Sequence, residues 1–206
     1  MKRLVFITIL FSTICGSVFS LTLRSLSEFE QKMLDHSKKI KTLQCSFVQE
    51  KTSALFSEKA VSKGNLFFKS PNALRWEYTD PSISTFILNG NDAVLLGKNN
   101  EKLGNERMFR ELGGIIISLI NGNGIIQSKQ FTTAFYETES DRLQVVLTPI
   151  SKRLKDFFSK IEMKIDVKTM LADEIILSEK SGDKTNIFLT NKELNKEISS
   201  SIFTIK

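Results

Sequence analysis

The chain has 206 residues, of which 41% are hydrophobic and 25% are charged, with 29 basic and 23 acidic side chains. This length predicts a single domain that buries a core without disulfide bonds. The formal net charge of +6 is spread along the chain. The sequence therefore lacks the clustered basic patch of a nucleic-acid-binding protein, although its mild positive charge favours approach to an anionic membrane.

The N-terminal residues have the pattern of an export signal. Lys2 and Arg3 give a positive start, an apolar run follows, and Ser20 is a small residue at the expected cut. The run is too short for a comfortable membrane span. We predict a signal peptide over 1–20, cleaved near Ser20, and one mature domain over 21–206. Cys15 leaves lipid modification open as an alternative.

The mature chain opens with a predicted amphipathic helix over Arg24–Lys41. Leu26, Phe29, Met33 and Ile40 recur on one face, and charged residues occupy the others.

The stretch GNLFFKSPNALRWEYTDP predicts two strands joined by a Pro-Asn turn. In the second strand Leu74, Trp76 and Tyr78 alternate with Arg75 and Glu77, so an apolar stripe lies on one face and charges on the other. An apolar sheet face without catalytic residues is typical of a protein that binds an apolar ligand.

Similar short segments occur along the rest of the chain. Their connections are short and contain no helix between neighbouring strands, which favours antiparallel pairing. The predicted strands are Leu43–Glu50, Gly64–Lys69, Ala73–Tyr78, Thr85–Leu88, Ala93–Leu96, Phe131–Glu137, Leu143–Thr148, Ile161–Val167, Ala172–Glu179 and Asn186–Thr190, with Phe203–Lys206 as a further edge segment. A sheet of this width must curl or split.

Between the two groups of strands, the apolar residues of 102–120 change to helical spacing. Gly113 and Gly114 interrupt this element, and each glycine weakens a helix by about 1 kcal/mol relative to alanine. We predict two short helices, or one bent helix, with a hinge at these glycines. A mobile cover over an apolar cavity tolerates such a hinge. The predicted lid residues are Met108, Leu112, Ile115, Ile116 and Leu119.

The sequence carries no recognisable catalytic motif. It contains neither G-x-S-x-G nor H-E-x-x-H. His36 is the single histidine, and Cys45 the single cysteine after cleavage, so a metal or thiol site lacks partners. We therefore expect neither an enzyme nor a cofactor, and we interpret Cys45 as a small buried hydrophobe. An acyl hydrolase that uses His36 and a purely structural envelope protein remain the alternatives.

The segment KGNLFFKSPNALRWEY resembles the hallmark stretch of the LolA-type outer-membrane lipoprotein carriers of Gram-negative bacteria. The order of parts also agrees, from the signal peptide and first helix through LQCSFVQEKT to ILNGNDAVLL. VLTPISKRLKDFFSKIEMKID is similar to the family's L-x-P-K segment and following strand, and SSSIFTIK to its terminal F-x-I motif. The match covers nearly all of the mature chain.

This resemblance implies a mainly β (α+β) fold, a half-open antiparallel barrel of about 10–11 strands with an N-terminal helix and a helical lid over an apolar cavity. The cavity would hold the acyl chains of lipoproteins crossing the periplasm. A monomer would receive them from an inner-membrane ABC transporter complex and deliver them to an outer-membrane acceptor. The expected cavity residues are Leu66, Phe68, Leu74, Trp76, Tyr78, Phe86 and Leu88.

One position departs from the family pattern. Many of these carriers have an arginine before the hallmark proline that latches the lid, and here Ser70 stands there. Arg75 alternates with Trp76, so we expect it to face away from the cavity. On the same fold, a binder or sensor of another lipid or lipoprotein, in glycolipid or pigment-lipid export or in envelope stress, is the alternative function.

Overall fold

The computed structural model describes residues 23–55, 59–104, 106–121, 129–138 and 141–205. The predicted signal peptide, its cleavage point and Cys15 lie outside these residues. None of the described helices combines the length and the apolar composition that crossing a bilayer requires.

In the described part of the chain, ten strands form one antiparallel sheet in the order β5-β4-β3-β2-β1-β10-β9-β8-β7-β6. The two ends of the domain meet where β1 pairs with β10, and β5 and β6 are the outermost strands. This confirms the predicted mainly β, half-open antiparallel architecture. The strands are β1 Thr42–Thr52, β2 Lys59–Lys69, β3 Ala73–Asp80, β4 Ser84–Asn89, β5 Asp92–Gly97, β6 Phe131–Glu137, β7 Arg142–Pro149, β8 Phe158–Asp166, β9 Leu171–Glu179 and β10 Lys184–Leu194.

The helices of the described residues are α1 Leu23–Ser37, α2 Glu106–Ile120, α3 Lys152–Lys155 and a C-terminal 3-10 helix Ser200–Phe203. Helix α1 ends four residues before the predicted boundary. The Ser37 hydroxyl donates to the Leu34 carbonyl at 2.8 Å, and the chain then turns so that Ile40 enters the core. The predicted edge strand at Phe203 is wrong, because this residue belongs to the 3-10 helix.

The inner face of the sheet carries the core. Cys45, Leu66, Trp76, Phe86 and Leu95 form one cross-strand row over β1 to β5, and all five are buried. These side chains share one hydrophobic cluster with α1, α2 and the inner faces of β6 to β10. The sheet is therefore curled around its two long helices.

Gly64 allows the aromatic part of this core to close. A Cβ atom on Gly64 would lie 2.6 Å from Cζ of Phe47 and 1.9 Å from the carbonyl oxygen of Glu77. Only glycine fits beneath this ring, which packs against Trp76 with 4.9 Å between the ring centroids.

The outer face of β3 and β4 is covered by the C-terminal segment. Phe203 is buried there, and Nη1 of Arg75 donates to the Ile202 carbonyl at 3.2 Å. Nη2 of Arg75 pairs with Glu77 at 2.6 Å. Arg75 thus lies on the outer face and holds the C-terminal segment against the sheet.

Candidate apolar binding site

Helix α2 crosses the inner face as one continuous helix, so the two-helix alternative is wrong. Its two glycines, Gly113 and Gly114, have different surroundings where the helix crosses the sheet. A Cβ atom on Gly113 would lie 2.9 Å from Cε1 of Phe86 and 3.2 Å from Cδ2 of Leu74, whereas one on Gly114 would meet nothing within 4 Å. Gly113 therefore serves the close approach of helix to sheet. The hinge role of the pair stays a prediction.

The N-terminal half of α2 is anchored by aromatic contacts to the sheet. The Phe109 ring lies 6.3 Å from that of Tyr78 and 5.7 Å from that of Phe86, measured between centroids. At the turn between β4 and β5, Nη1 of Arg110 donates to the Asn91 carbonyl at 2.6 Å.

The same half of α2 is also tied to the region around α3. Glu111 is a buried residue, and its carboxylate pairs with Nε of Arg153 at 3.0 Å. Arg107 lies 3.7 Å from the Asp156 carboxylate and places its guanidinium 5.4 Å from the Phe157 ring centroid. A charge–ring contact of this kind adds to the ion pair. This half of the helix is thus held on two sides.

The C-terminal half of α2 borders an apolar pocket of about 60 Å³. The pocket lies between α1, the end of α2, the start of β1 and the strands β8 to β10. Apart from Lys192, its lining carries no charged side chain. The lining residues are Met33, Ile40, Leu43, Cys45, Leu66, Ile116, Leu119, Ile120, Met163, Ile165, Met170, Leu171, Ala172, Ile175, Leu189 and Lys192.

A second groove of about 250 Å³ follows the other side of α2, where Ile115, Ser118 and Leu119 face Phe131 and Leu147. Leu119 lines both spaces. Unfilled space therefore borders the C-terminal half of α2 on both sides, although Ile115, Ile116 and Ile117 are themselves buried. The hydrogen bond from Nδ2 of Asn121 to the Pro71 carbonyl, at 2.8 Å, ties this end to the β2–β3 turn.

Two polar groups differ from the rest of the pocket wall. Burial raises the pKa of the Cys45 thiol to about 12, so this side chain is a neutral thiol in the core. The Lys192 ammonium has a pKa below its ordinary value, chiefly because burial desolvates the charged form. Its side chain is 16% exposed.

A β-bulge aims Lys192 at the pocket. In the β1–β10 ladder, Gln44 pairs with Glu193 and Ser46 pairs with Thr190, so two residues of β10 oppose Cys45. Asn191 takes up the extra residue with φ +52, a conformation that asparagine tolerates better than most residues. Bulges commonly re-aim a side chain in this way.

The structure distributes the predicted cavity residues over two places. Leu66 lines the pocket beside the predicted lid residues Ile116 and Leu119. Phe68, Leu74, Trp76, Phe86 and Leu88 are buried on the same inner face, and Tyr78 packs at its edge. The last six do not line this pocket, and α2 covers part of their surface. Their role as a cavity wall stays a prediction that requires α2 to lift.

The other predicted lid residues have different surroundings. Leu112 and Ile115 are buried, and Met108 packs partly buried against the core cluster. The predicted lid is therefore one helix whose C-terminal half borders the two open spaces.

The aromatic cluster under α2 contains two buried polar groups. The Tyr78 hydroxyl donates to Oε1 of Gln49 at 2.8 Å, and burial raises its pKa to about 12. The indole N–H of Trp76 is buried in the same cluster, and its interaction with the Tyr78 hydroxyl lowers the pKa of that hydroxyl against the effect of burial.

Sequence reasoning missed the far wall of the pocket. Met163, Ile165, Leu171, Ile175 and Lys192 line it. The alternation of Ile161, Met163 and Ile165 was a usable signal for an inner face. What the sequence did not reveal was which strands the curled sheet brings opposite α1 and α2.

A curled, open β-sheet with an apolar pocket beside a helix is an arrangement suited to binding an apolar ligand. The chain belongs to the LolA family: residues 38–206 match the family model described as "Outer membrane lipoprotein carrier protein LolA". No curated protein matches the chain.

Solved structures are similar to the chain at low sequence identity. An uncharacterised conserved protein from Thermus thermophilus is 6% identical with a TM-score of 0.52, over 88% of this chain and 94% of that one. A LolA superfamily protein from Nitrosomonas europaea is 12% identical with a TM-score of 0.46, over 85% and 97%. A structure of the Pseudomonas aeruginosa MucA/MucB complex matches with 12% identity and a TM-score of 0.47, over 87% of this chain and 60% of that one.

Proposed function

We propose that the protein is a periplasmic, non-enzymatic carrier that binds the acyl chains of lipoproteins and shuttles them from the inner to the outer membrane. The observation that carries this proposal is the apolar pocket beside the C-terminal end of α2, in a chain of the lipoprotein carrier family. An inner-membrane ABC transporter complex is the proposed donor, and an outer-membrane protein the proposed acceptor.

Energetics favour such a pocket as a temporary site. Burying one methylene stabilises by about 0.8 kcal/mol, so about twelve methylenes give roughly 10 kcal/mol against water. The pocket volume of about 60 Å³ holds a few water molecules rather than an acyl chain. Binding therefore requires a helix to move away. The free energy of that opening offsets part of the burial, which lets cargo leave again.

Hydrolysis is a poorer fit to the described residues. The Nε2 atom of His36 is buried without a hydrogen-bond partner among the described residues. Burial lowers the pKa of its imidazole. A general base must reach a proton of the nucleophile. The structure supplies no such pair at the pocket, whose lining contains neither histidine nor a carboxylate.

The test is to purify the exported protein from a bacterial periplasm and to identify what travels with it by native mass spectrometry. The matched variants are Leu119→Asp, which charges the pocket, and Ile83→Asp, which charges an exposed apolar residue elsewhere. We expect bound lipoprotein in the unmodified protein and in Ile83→Asp, and its loss in Leu119→Asp.

Two results would contradict the proposal. Equal recovery of lipoprotein from the two variants would place the cargo outside the pocket. Recovery of a different lipid and no lipoprotein would instead favour a binder or sensor on the same fold.

A further inference from the structure

The pocket wall contains one charged group that the carrier role does not use. Lys192 lies among apolar side chains of α1, α2 and β8 to β10, opposite Cys45. A lysine removed from water in this way loses solvation that only a polar partner restores. An apolar pocket with a single placed cation is suited to an amphipathic ligand.

The existing contacts of Lys192 leave one donor for a ligand. Its Nζ atom donates to the Ala172 carbonyl at 3.0 Å and to the Asp173 carboxylate. An ammonium carries three N–H groups, so the third has no partner in these contacts.

The charges around Lys192 are nearly balanced. Asp173 pairs with Arg142 as well as with Lys192, so it keeps a cationic partner if Lys192 pairs with a ligand instead. Asp166 is the other nearby carboxylate that acts on Lys192, and its Oδ1 atom already accepts the backbone N–H groups of Lys168 and Thr169 at 2.8 Å.

We propose that the pocket also takes a single acyl chain with a carboxylate head group, a fatty acid, and that Lys192 pairs with the carboxylate. This inference rests on the proposed acyl-binding function. One free N–H on a monovalent cation suits one oxygen of a monovalent head group. A phosphate, with more charge and more acceptors, needs further donors.

The test uses the exported, lipid-stripped protein and displacement of a fluorescent fatty acid. The probes are palmitate, its uncharged methyl ester, and a monoacyl phosphate with the same chain. A hydrogen bond to a charged group predicts about tenfold or tighter binding of palmitate than of the ester. We expect palmitate to bind more tightly than the phosphate as well.

Variants locate the effect. Lys192→Met keeps an unbranched chain at the pocket wall and is expected to abolish the preference for palmitate over the ester. Lys164→Met is the matched control, because Lys164 pairs with Glu174 on the same sheet at 2.5 Å and does not line the pocket. It should keep the full preference.

The outcomes separate this inference from the carrier proposal. Equal binding of palmitate and ester by the unmodified protein, or a preference that survives in Lys192→Met, overturns the role of Lys192 but leaves an acyl-binding pocket. Tighter binding of the monoacyl phosphate overturns the carboxylate assignment. Binding of none of the probes overturns the acyl-binding function itself.

Discussion

Gly113 of α2 and Phe86 of β4 approach so closely that a Cβ atom on the glycine would lie 2.9 Å from Cε1 of the ring. The adjacent Gly114 has open space at the same distance. The two neighbouring glycines therefore differ in the space that is available for a larger side chain.

The two glycines should respond in opposite ways to alanine. Gly114→Ala is expected to raise the free energy of unfolding by about 0.5–1 kcal/mol, because alanine favours the helix and meets no obstacle. Gly113→Ala should lose that gain to overpacking, which typically costs about 1–3 kcal/mol. Urea denaturation of the two variants measures the difference. Equal stabilisation by both would show that α2 does not need the close approach.

The fold could be predicted from the sequence further than the site could. Alternation around Trp76 identified the inner face, because a strand turns successive side chains to opposite faces. The pocket depends on long-range pairing, which brings Met163 of β8 into the same lining as Ile116 of α2. Lys192 was hidden because its bulge breaks the alternation of β10, whose predicted end at Thr190 fell short of the bulge. The close packing at Gly113 could not be predicted either, because the sequence does not distinguish a glycine that permits a hinge from one that permits close contact.

Asn121 is predicted to control access to the pocket. Asn121→Ala removes the 2.8 Å hydrogen bond to the Pro71 carbonyl, so the end of α2 should open more often. The buried Cys45 thiol lines the pocket and reports each opening. In the mature protein over 21–206, Ellman's reagent should react slowly with Cys45 and several-fold faster after Asn121→Ala.

The control for this prediction is Asn99→Ala, which changes an exposed asparagine beyond β5. It should leave the reaction rate unchanged. If Asn121→Ala reacted no faster than this control, the contact with Pro71 would not restrain the helix.

Trp76 reports whether cargo reaches the predicted cavity wall. It is the single tryptophan of the chain and is buried beside Phe47 and Tyr78. If an acyl chain lifts α2 from Tyr78 and Phe86, the emission maximum and its quenching by acrylamide should change on binding. Unchanged fluorescence during proven binding would restrict the cargo to the pocket lined by β8 to β10 and would remove Trp76 from the site.

Acid should weaken the turn that leads into the pocket wall. Asp166 has a pKa below its ordinary value, chiefly because its carboxylate accepts the Thr169 backbone N–H. The native pKa is the lower one, so this stabilisation is present above the unfolded value of about 4 and is lost as the pH falls toward the native value.

The matched variant is Asp166→Asn, which keeps a side-chain oxygen without the charge. The difference in unfolding free energy between the original protein and this variant should shrink from pH 6 to pH 3, as measured by urea denaturation. Other carboxylates cancel in the comparison. A difference that stays constant with pH would mean that the charge of Asp166 adds nothing.

The location of the acyl chain can be measured directly. A lipopeptide with a diazirine near the end of one acyl chain is bound to the exported protein and photolysed. The labelled residues are then identified by peptide sequencing. The carrier account predicts labels on pocket residues, foremost Ile116, Leu119, Met163 and Leu171. Labels confined to exposed apolar residues such as Leu55 and Ile83, or no labelling during saturable binding, would contradict it.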